Sequence, residues 1–385
     1  MAGEYAPIVQ ELVQAINTNK GWLDDFNCAI DCAVKQAPND IEGIRVLEDY
    51  YKFIDQFLRW VPSETPDGRQ IYKKLCLFYF ILDQRSAYAH QTAISPATAN
   101  QPLGWLSDWI VRYARELGAF LDTPESLTDE SLQTFKDAPS YNWNDYVEPR
   151  GGWKTFNEFF ARYVKPGYRP ITDIANSNVI VAPADSTYQA QYPVDSDSQV
   201  TIKTLVWPIY ELLNQTEYAD NFKGGIFLHS FLGPNDYHRL HAPVGGEVLE
   251  AKIIQGQAYL EVIAENGRLK PIRPIQSRFR DPRDLNAPDS AGYQFCQIRG
   301  LFVLKTAIGL VAVLPIGMCQ VSSVVPTAEV GRTLFKGEEL AYFQFGGSDI
   351  VLVFEADSKV TVTANSGTHY KVGTQIATAA GTGSV

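Results

Sequence analysis

At 385 residues, with 45% hydrophobic and 20% charged residues, the chain can fill one large core or two ordinary ones. Its formal net charge of −11 argues against nucleic acid as a partner, because a phosphate-binding surface is basic. No Lys/Arg cluster offers electrostatic attachment to anionic lipid.

The first residues, Met1-Ala2-Gly3-Glu4-Tyr5, lack the basic start and apolar run of a signal peptide. Helical patterns dominate to about residue 135. Ile8, Leu12, Val13 and Ile16 fall at helix spacing, as do Ile44, Leu47, Tyr51, Ile54 and Leu58, with Pro62 as the stop. Cys28 and Cys32, one helical turn apart, read as packing on a helix face rather than as metal ligands. With Cys76, Cys296 and Cys319 they make five scattered cysteines, which fits a reducing, cytoplasmic compartment. Thr123-Pro124-Glu125 carries the chemistry of a helix start.

From Lys136 to Gly152 the chain becomes a polar, aromatic connector, and the domain boundary is placed at 140/141. A short helix follows, with Thr155 and Glu158 as a capping box and Phe156, Phe159, Phe160 and Tyr163 as an aromatic face. Strand patterns then prevail, at Val179 to Val181, Gly225 to Phe231, Gly246 to Ile254, Gly300 to Leu304, Leu310 to Leu314 and Ile350 to Phe354. A helix is expected between Leu205 and Leu213. The apolar run Leu301 to Val325 is broken by Lys305, Pro315 and Gln320 and reads as two buried strands rather than a membrane helix. The fold class is therefore α+β: a helical N-terminal domain (1–140) followed by a mostly antiparallel β catalytic domain (141–385). The small-residue tail Ala377 to Val385 is expected to fray.

Three segments carry chemistry. Gly346-Gly347-Ser348 is a hairpin turn on its simplest reading. It is also a place where a serine hydroxyl can attack the preceding carbonyl, since glycine brings no Cβ to crowd the approach. That step needs a base and oxyanion donors. Asp236-Tyr237-His238-Arg239-Leu240-His241-Ala242-Pro243 places two of only five histidines in one short segment. One buried and one surface histidine would explain it, as would a general base, histidine's usual role near neutral pH. A two-histidine metal site lacks further ligands at suitable spacing, so no metal is expected. Asp185, after the Val179 to Val181 strand, is either a turn residue or the orienting acid of a Ser-His-Asp relationship.

Taken together, these segments resemble the phosphatidylserine decarboxylase family. The resemblance rests on Thr155-Phe156-Asn157-Glu158-Phe159-Phe160-Ala161-Arg162 with Arg169-Pro170, on Ala182-Pro183-Ala184-Asp185, and on the segment from Asp236 to Pro243. It is completed by Lys336 to Phe343 running into Gly346-Gly347-Ser348, so that four motifs stand in order over roughly residues 150–375. The helical N-terminal region is similar to the extension of the soluble branch typified by the fungal tryptophan decarboxylase of psilocybin biosynthesis.

The resemblance implies self-cleavage between Gly347 and Ser348, with His241, oriented by Asp185, deprotonating Ser348. An N→O acyl shift, elimination and loss of ammonia would leave a covalent pyruvoyl group as the cofactor. Heavy and light fragments would stay associated, and a homo-oligomer is left open. The pyruvoyl carbonyl would form a Schiff base with the substrate amine and act as electron sink while CO₂ leaves. His238 is implied to assist decarboxylation or protonate the resulting carbanion. The substrate is expected to be a free, aromatic L-amino acid such as tryptophan, without a stable membrane anchor. Phosphatidylserine at a membrane is the alternative, and a non-catalytic binding module a further one.

Two departures stand out. Asp349 follows Ser348 where the family usually has threonine or serine. The family's Asn-Glu-Arg element is matched by Gln297-Ile298-Arg299. His229, alternating with Phe227 and Phe231 on one strand face, is a candidate pocket residue together with Asp349, or else a packed core histidine.

Overall fold

The computed structural model describes residues 5–41, 43–95, 98–197, 199–202, 205–214, 216–271, 293–318, 323–345 and 347–381. Gly346, Cys319 and the last four residues of the tail lie outside the described residues. The chain begins with helices: α1 (Pro7–Thr18), α2 (Trp22–Gln36), α3 (Leu47–Phe57), α4 (Gln70–Leu82), α5 (Arg85–Tyr88), α6 (Trp105–Leu121) and α7 (Asp129–Asp137). The expected spacing is realised in α1, whose Ile8, Leu12 and Ile16 are buried, and in α3, which buries Leu47, Tyr51 and Ile54. Thr123-Pro124-Glu125 starts only a single 3-10 turn (Pro124–Ser126). The full helix begins after Thr128, whose side chain accepts from Ser131 N–H in a capping box.

After the connector comes α8 (Phe156–Phe160), where Thr155 Oγ1 accepts from Glu158 N–H at 3.1 Å. The carboxylate of Glu158 reaches Lys154 N–H, one residue before the position a capping box would use. The β region then runs β1 (Val179–Val181), β2 (Ser186–Pro193), β3 (Gln199–Ile202) and β4 (Leu205–Pro208). The helix expected over Leu205 to Leu213 is thus half strand. Pro208 supplies no N–H to a helix interior and stands as N-cap of the one-turn α9 (Ile209–Leu212). There follow β5 (Ile226–Leu232), β6 (Arg239–His241), β7 (Gly246–Ile254), β8 (Val262–Glu265) and β9 (Arg268–Pro271). Next come β10 (Arg299–Thr306), β11 (Gly309–Met318), β12 (Val324–Pro326), β13 (Thr333–Leu334) and β14 (Glu339–Phe343). The last are β15 (Gly347–Phe354), β16 (Thr361–Val362), β17 (His369–Tyr370) and β18 (Gln375–Thr378).

The main sheet has the order β13-β7-β10-β11-β15-β5-β2-β17, and its neighbours are antiparallel. The β10–β11 hairpin is the apolar run that reads as two buried strands, and Leu301 to Leu304 and Val311 to Val313 are fully buried. β15, bearing Ser348, lies inside this sheet between β11 and β5. A smaller sheet, β12-β14-β6, carries the histidine segment, and β1-β18-β16 closes one side. Among the described residues no helix is long and apolar enough to cross a membrane.

The helical and β regions share one buried core. Trp60, after α3, meets Phe345 edge-on at 6.3 Å between ring centroids. Phe345 also packs against Phe156 and Phe160, and its N–H donates to Asn157 Oδ1 at 3.1 Å. The helical part therefore presses on the residues just ahead of the Gly347–Ser348 bond.

Candidate active site

Ser348 pairs with Gly317 of β11 and Leu232 of β5, so its backbone is fixed on both sides. The side chain is fully buried, and Oγ has no hydrogen-bond partner among the described residues. A buried hydroxyl left unpaired is costly, so its place in a central strand calls for an explanation beyond packing. A hydroxyl held for chemistry on its own backbone supplies one. A buried position between two paired strands is compatible with a prosthetic group made from the serine itself.

His238 and His241 occupy different surroundings, because the segment forms strand β6 rather than a helical turn. His238 is fully buried and stacks on Phe160, with ring centroids 3.8 Å apart and planes 21° apart. Its backbone carbonyl accepts from Phe343 N–H at 2.9 Å, tying it to β14. Among the described residues neither ring nitrogen makes a hydrogen bond of good geometry. Burial, reinforced by the Arg162 guanidinium, pushes its pKa well below the ordinary value of 6.5. His238 is thus a buried, neutral imidazole, stacked on Phe160 and flanked by the backbone of Gly233 and Asp236 and by the Arg162 guanidinium. Arg162 shapes this loop by donating to the carbonyls of Asn235 at 2.9 Å and Asp236 at 3.2 Å, while lying 4.1 Å from the Tyr146 ring.

His241 has both ring nitrogens engaged. Nδ1 meets the Gly337 carbonyl at 2.8 Å and Nε2 meets the Tyr237 hydroxyl at 3.1 Å. A carbonyl only accepts, so Nδ1 carries the proton and Nε2 the lone pair. Gly337 adopts φ +83, and a Cβ there would lie 2.5 Å from Ile171, so this turn needs glycine. Burial lowers the pKa of His241 as well.

Asp185 is buried but does not orient His241 through a hydrogen bond among the described residues. Its carboxylate accepts from Arg169 Nε at 2.8 and 3.0 Å and Nη2 at 2.5 Å, and from Val372 N–H at 2.8 Å. Arg169 also reaches Asp145 at 3.0 Å, and Lys371 reaches the same Asp145 oxygen at 3.0 Å. Burial would raise the pKa of Asp145, but these two cations outweigh it and hold it low. The expected contacts Asp185–His241 and His241–Ser348 are therefore absent among the hydrogen bonds of the described residues in this uncleaved chain. Tyr237, Gly337 and Arg169 are the partners that sequence reasoning missed. Tyr237 and Arg169 lay inside the quoted motifs, but nothing in their spacing revealed whom they touch.

His229 and Asp349 do meet, with Nε2 and Oδ2 2.8 Å apart, and both side chains are buried. Strand alternation puts Asp349 on the opposite sheet face from Ser348. The two residues are thus brought together behind the serine rather than beside it. Arg299, the surviving residue of the departed element, donates to the carbonyls of Leu212, Phe295, Gln297 and Glu211 and to Asn100 Oδ1. Burial pulls its pKa down to about 10, and its contacts are those of a structural clamp.

Residues 348–381 are woven into the rest of the chain. β15 is interior to the main sheet, β17 pairs with β2, and β18 pairs with β1. Lys371–Asp145, His369–Asp236 and Val372–Asp185 add polar ties. A break before Ser348 would leave these contacts intact.

A family model described as phosphatidylserine decarboxylase matches residues 156–378. The phosphatidylserine decarboxylase proenzyme of Fusobacterium nucleatum is 33% identical over 258 residues, covering 66% of this chain and 75% of that protein. Proenzyme 3 of Schizosaccharomyces pombe is 32% identical over 248 residues, 62% of this chain but 22% of its own length. Proenzyme 2 of Oryza sativa is 30% identical over 261 residues, 66% of this chain and 38% of its own length. These relatives are named for phosphatidylserine, and none of them for the free aromatic amino acid expected from the soluble branch. The match spans the Phe156 segment, Asp185, the two-histidine strand and Ser348 alike, and the chain belongs to the phosphatidylserine decarboxylase family, whose members are carboxy-lyases with a pyruvoyl group made from their own serine.

Proposed function

We propose that this chain cleaves itself at Gly347–Ser348 and then decarboxylates phosphatidylserine. The observation that carries the reading is Ser348 itself: a buried hydroxyl, unpartnered among the described residues, following glycine at the start of an interior strand. The family match over residues 156–378 supports the same reading.

In maturation, Ser348 Oγ would bond to the Gly347 carbonyl carbon while the peptide C–N bond breaks, giving an ester and a free amine. Loss of the Ser348 α-proton then expels Gly347 as a carboxylate, and water displaces the nitrogen as ammonia. No oxidant is needed. The base must accept the serine proton, and the tautomer of His241 leaves its lone pair on Nε2 for that purpose. Tyr237 holds that lone pair in the uncleaved chain, so its hydroxyl must yield before the base acts.

The pyruvoyl carbonyl supplies an electrophile for the substrate amine and a sink for the electrons released with CO₂. The Phe160 and Phe345 rings pack edge to face three residues ahead of Ser348, and an apolar wall there would keep water from the group and strengthen local electrostatics. His238, held neutral by burial, is suited to hold or deliver a proton at the carbon that loses CO₂.

Intact-mass analysis followed by product detection tests the reading. Expected are a fragment beginning at residue 348 with a blocked terminus, and phosphatidylethanolamine from phosphatidylserine vesicles. A single uncleaved chain would overturn the maturation step. A cleaved protein that ignores the vesicles but releases amine from L-tryptophan would overturn the substrate assignment.

A further inference from the structure

We infer that His229 and Asp349 form a buried pin that keeps the new N-terminus of the light fragment in register after cleavage. The inference rests on the reading that the chain is cut before Ser348. Until that moment residue 348 is held by covalent bonds on both sides; afterwards it is a chain end, and chain ends fray unless tied down. The pyruvoyl group would sit on that end, where misplacement by an ångström costs catalysis heavily.

Asp349 is the first residue behind the serine. Its backbone lies opposite Ile316 of β11 and Phe231 of β5. Its side chain adds a third hold, the 2.8 Å bond to His229 Nε2. His229 sits in mid-β5, opposite Val351 and Ala190, in a strand flanked by β15 and β2. Phe295 backs its ring, at 6.1 Å between centroids. The anchor is therefore rigid.

Asp349 and His229 are diagonal neighbours on one sheet face, while the side chain at 348 projects from the other. The pin grips from behind and leaves the reacting face clear. Both groups are buried, so neither finds water as a substitute partner. His229 Nδ1 has no hydrogen-bond partner, which makes Asp349 the single polar hold on that ring among the described residues. The aspartate that departs from the family pattern is thus matched by a histidine two positions along the neighbouring strand.

The test compares hydrogen exchange of residues 349–354 in two full-length backgrounds, the cleaved enzyme and the uncleaved Ser348→Ala chain. In the cleaved background Asp349→Ala should speed exchange of this segment by about tenfold or more, because local opening becomes easier. Phenylhydrazine should then react with the pyruvoyl carbonyl roughly tenfold faster, the freed end being more accessible. Asp349→Asn, which keeps a hydrogen bond to His229, should recover most of both effects. In the Ser348→Ala background the same Asp349→Ala change should alter exchange by less than about twofold, since the peptide bond holds the end. His229→Phe serves as the second variant should Asp349→Ala fail to fold, with the same expected pattern. Equal effects in both backgrounds, or none in the cleaved one, would overturn the pin alone. An uncleaved wild-type chain would overturn the maturation reading and the pin with it.

Discussion

The Tyr237 hydroxyl donates to Nε2 of His241 at 3.1 Å while the opposite nitrogen of that ring donates to the Gly337 carbonyl. Two neighbours that are not acids thus fix the tautomer of the candidate base. Asp185, which the sequence suggested for that task, is instead locked to Arg169 and to the backbone of Val372. The carboxylate then ties down the Val372 segment, and it reaches the imidazole through its charge rather than through a hydrogen bond.

Tyr237→Phe tests the first part of this arrangement. The donated hydrogen bond favours the neutral ring, so removing it raises the pKa of His241 back toward 6.5. A base works when neutral, so self-cleavage should speed up as pH rises through that pKa. The midpoint in Tyr237→Phe should lie about half to one pH unit higher, given roughly 1 kcal/mol for such a bond. Timed gels of newly made chain between pH 5 and 8 measure it, and an unmoved midpoint would remove the hydroxyl from control.

Ser348→Ala should leave a single uncleaved chain with no detectable decarboxylation. Because Ser348 Oγ has no hydrogen-bond partner among the described residues, its loss should cost little stability, within about 1 kcal/mol. Intact mass and a thermal melt check both halves of the expectation.

His238→Asn should give a cleaved protein whose decarboxylation falls by about 10² to 10⁴-fold, the range for losing a general acid or base. The pH dependence of stability adds a second readout. With its folded pKa depressed below 6.5, His238 takes its proton in the unfolded chain first. Its contribution is complete above about pH 6.5 and is lost as pH falls, by at most about 1.4 kcal/mol per pH unit. His369 works the other way, since Asp236 raises its pKa and its contribution fades as pH rises. Melts from pH 7.5 to 5 should therefore decline less steeply in His238→Asn than in the parent. Parallel curves would argue that His238 is not held neutral.

Arg169→Met should destabilise the protein by about 3 kcal/mol or more, because it strands the buried Asp185 carboxylate. Urea unfolding measures this. A loss under about 1 kcal/mol would mean that the Arg169–Asp185 pair contributes no more than a surface ion pair.

The sequence by itself determined the larger architecture and singled out Gly347–Ser348 as the candidate bond for cleavage. Helix spacing in Ile8 to Ile16 and Leu47 to Leu58, and β-branched runs from Val179 onward, reflect local periodicity that any fold must respect. It misjudged Thr123 to Glu125 and Leu205 to Leu213, where Pro124 and Pro208 sit at starts too short to continue as helix. Gly347, Ser348, His238 and His241 were legible as candidates because their residue types suit the proposed chemistry. Who touches whom was not legible. The partners of His241 lie four residues back and 96 residues ahead, that of Asp349 lies 120 residues back, and that of Asp185 is a nearby arginine rather than the histidine. Only strand pairing and loop packing set these distances, because they bring together atoms whose separation along the chain carries no signal. The tertiary structure thereby decided that Asp349 is half of a buried pair on the far face of the sheet from Ser348.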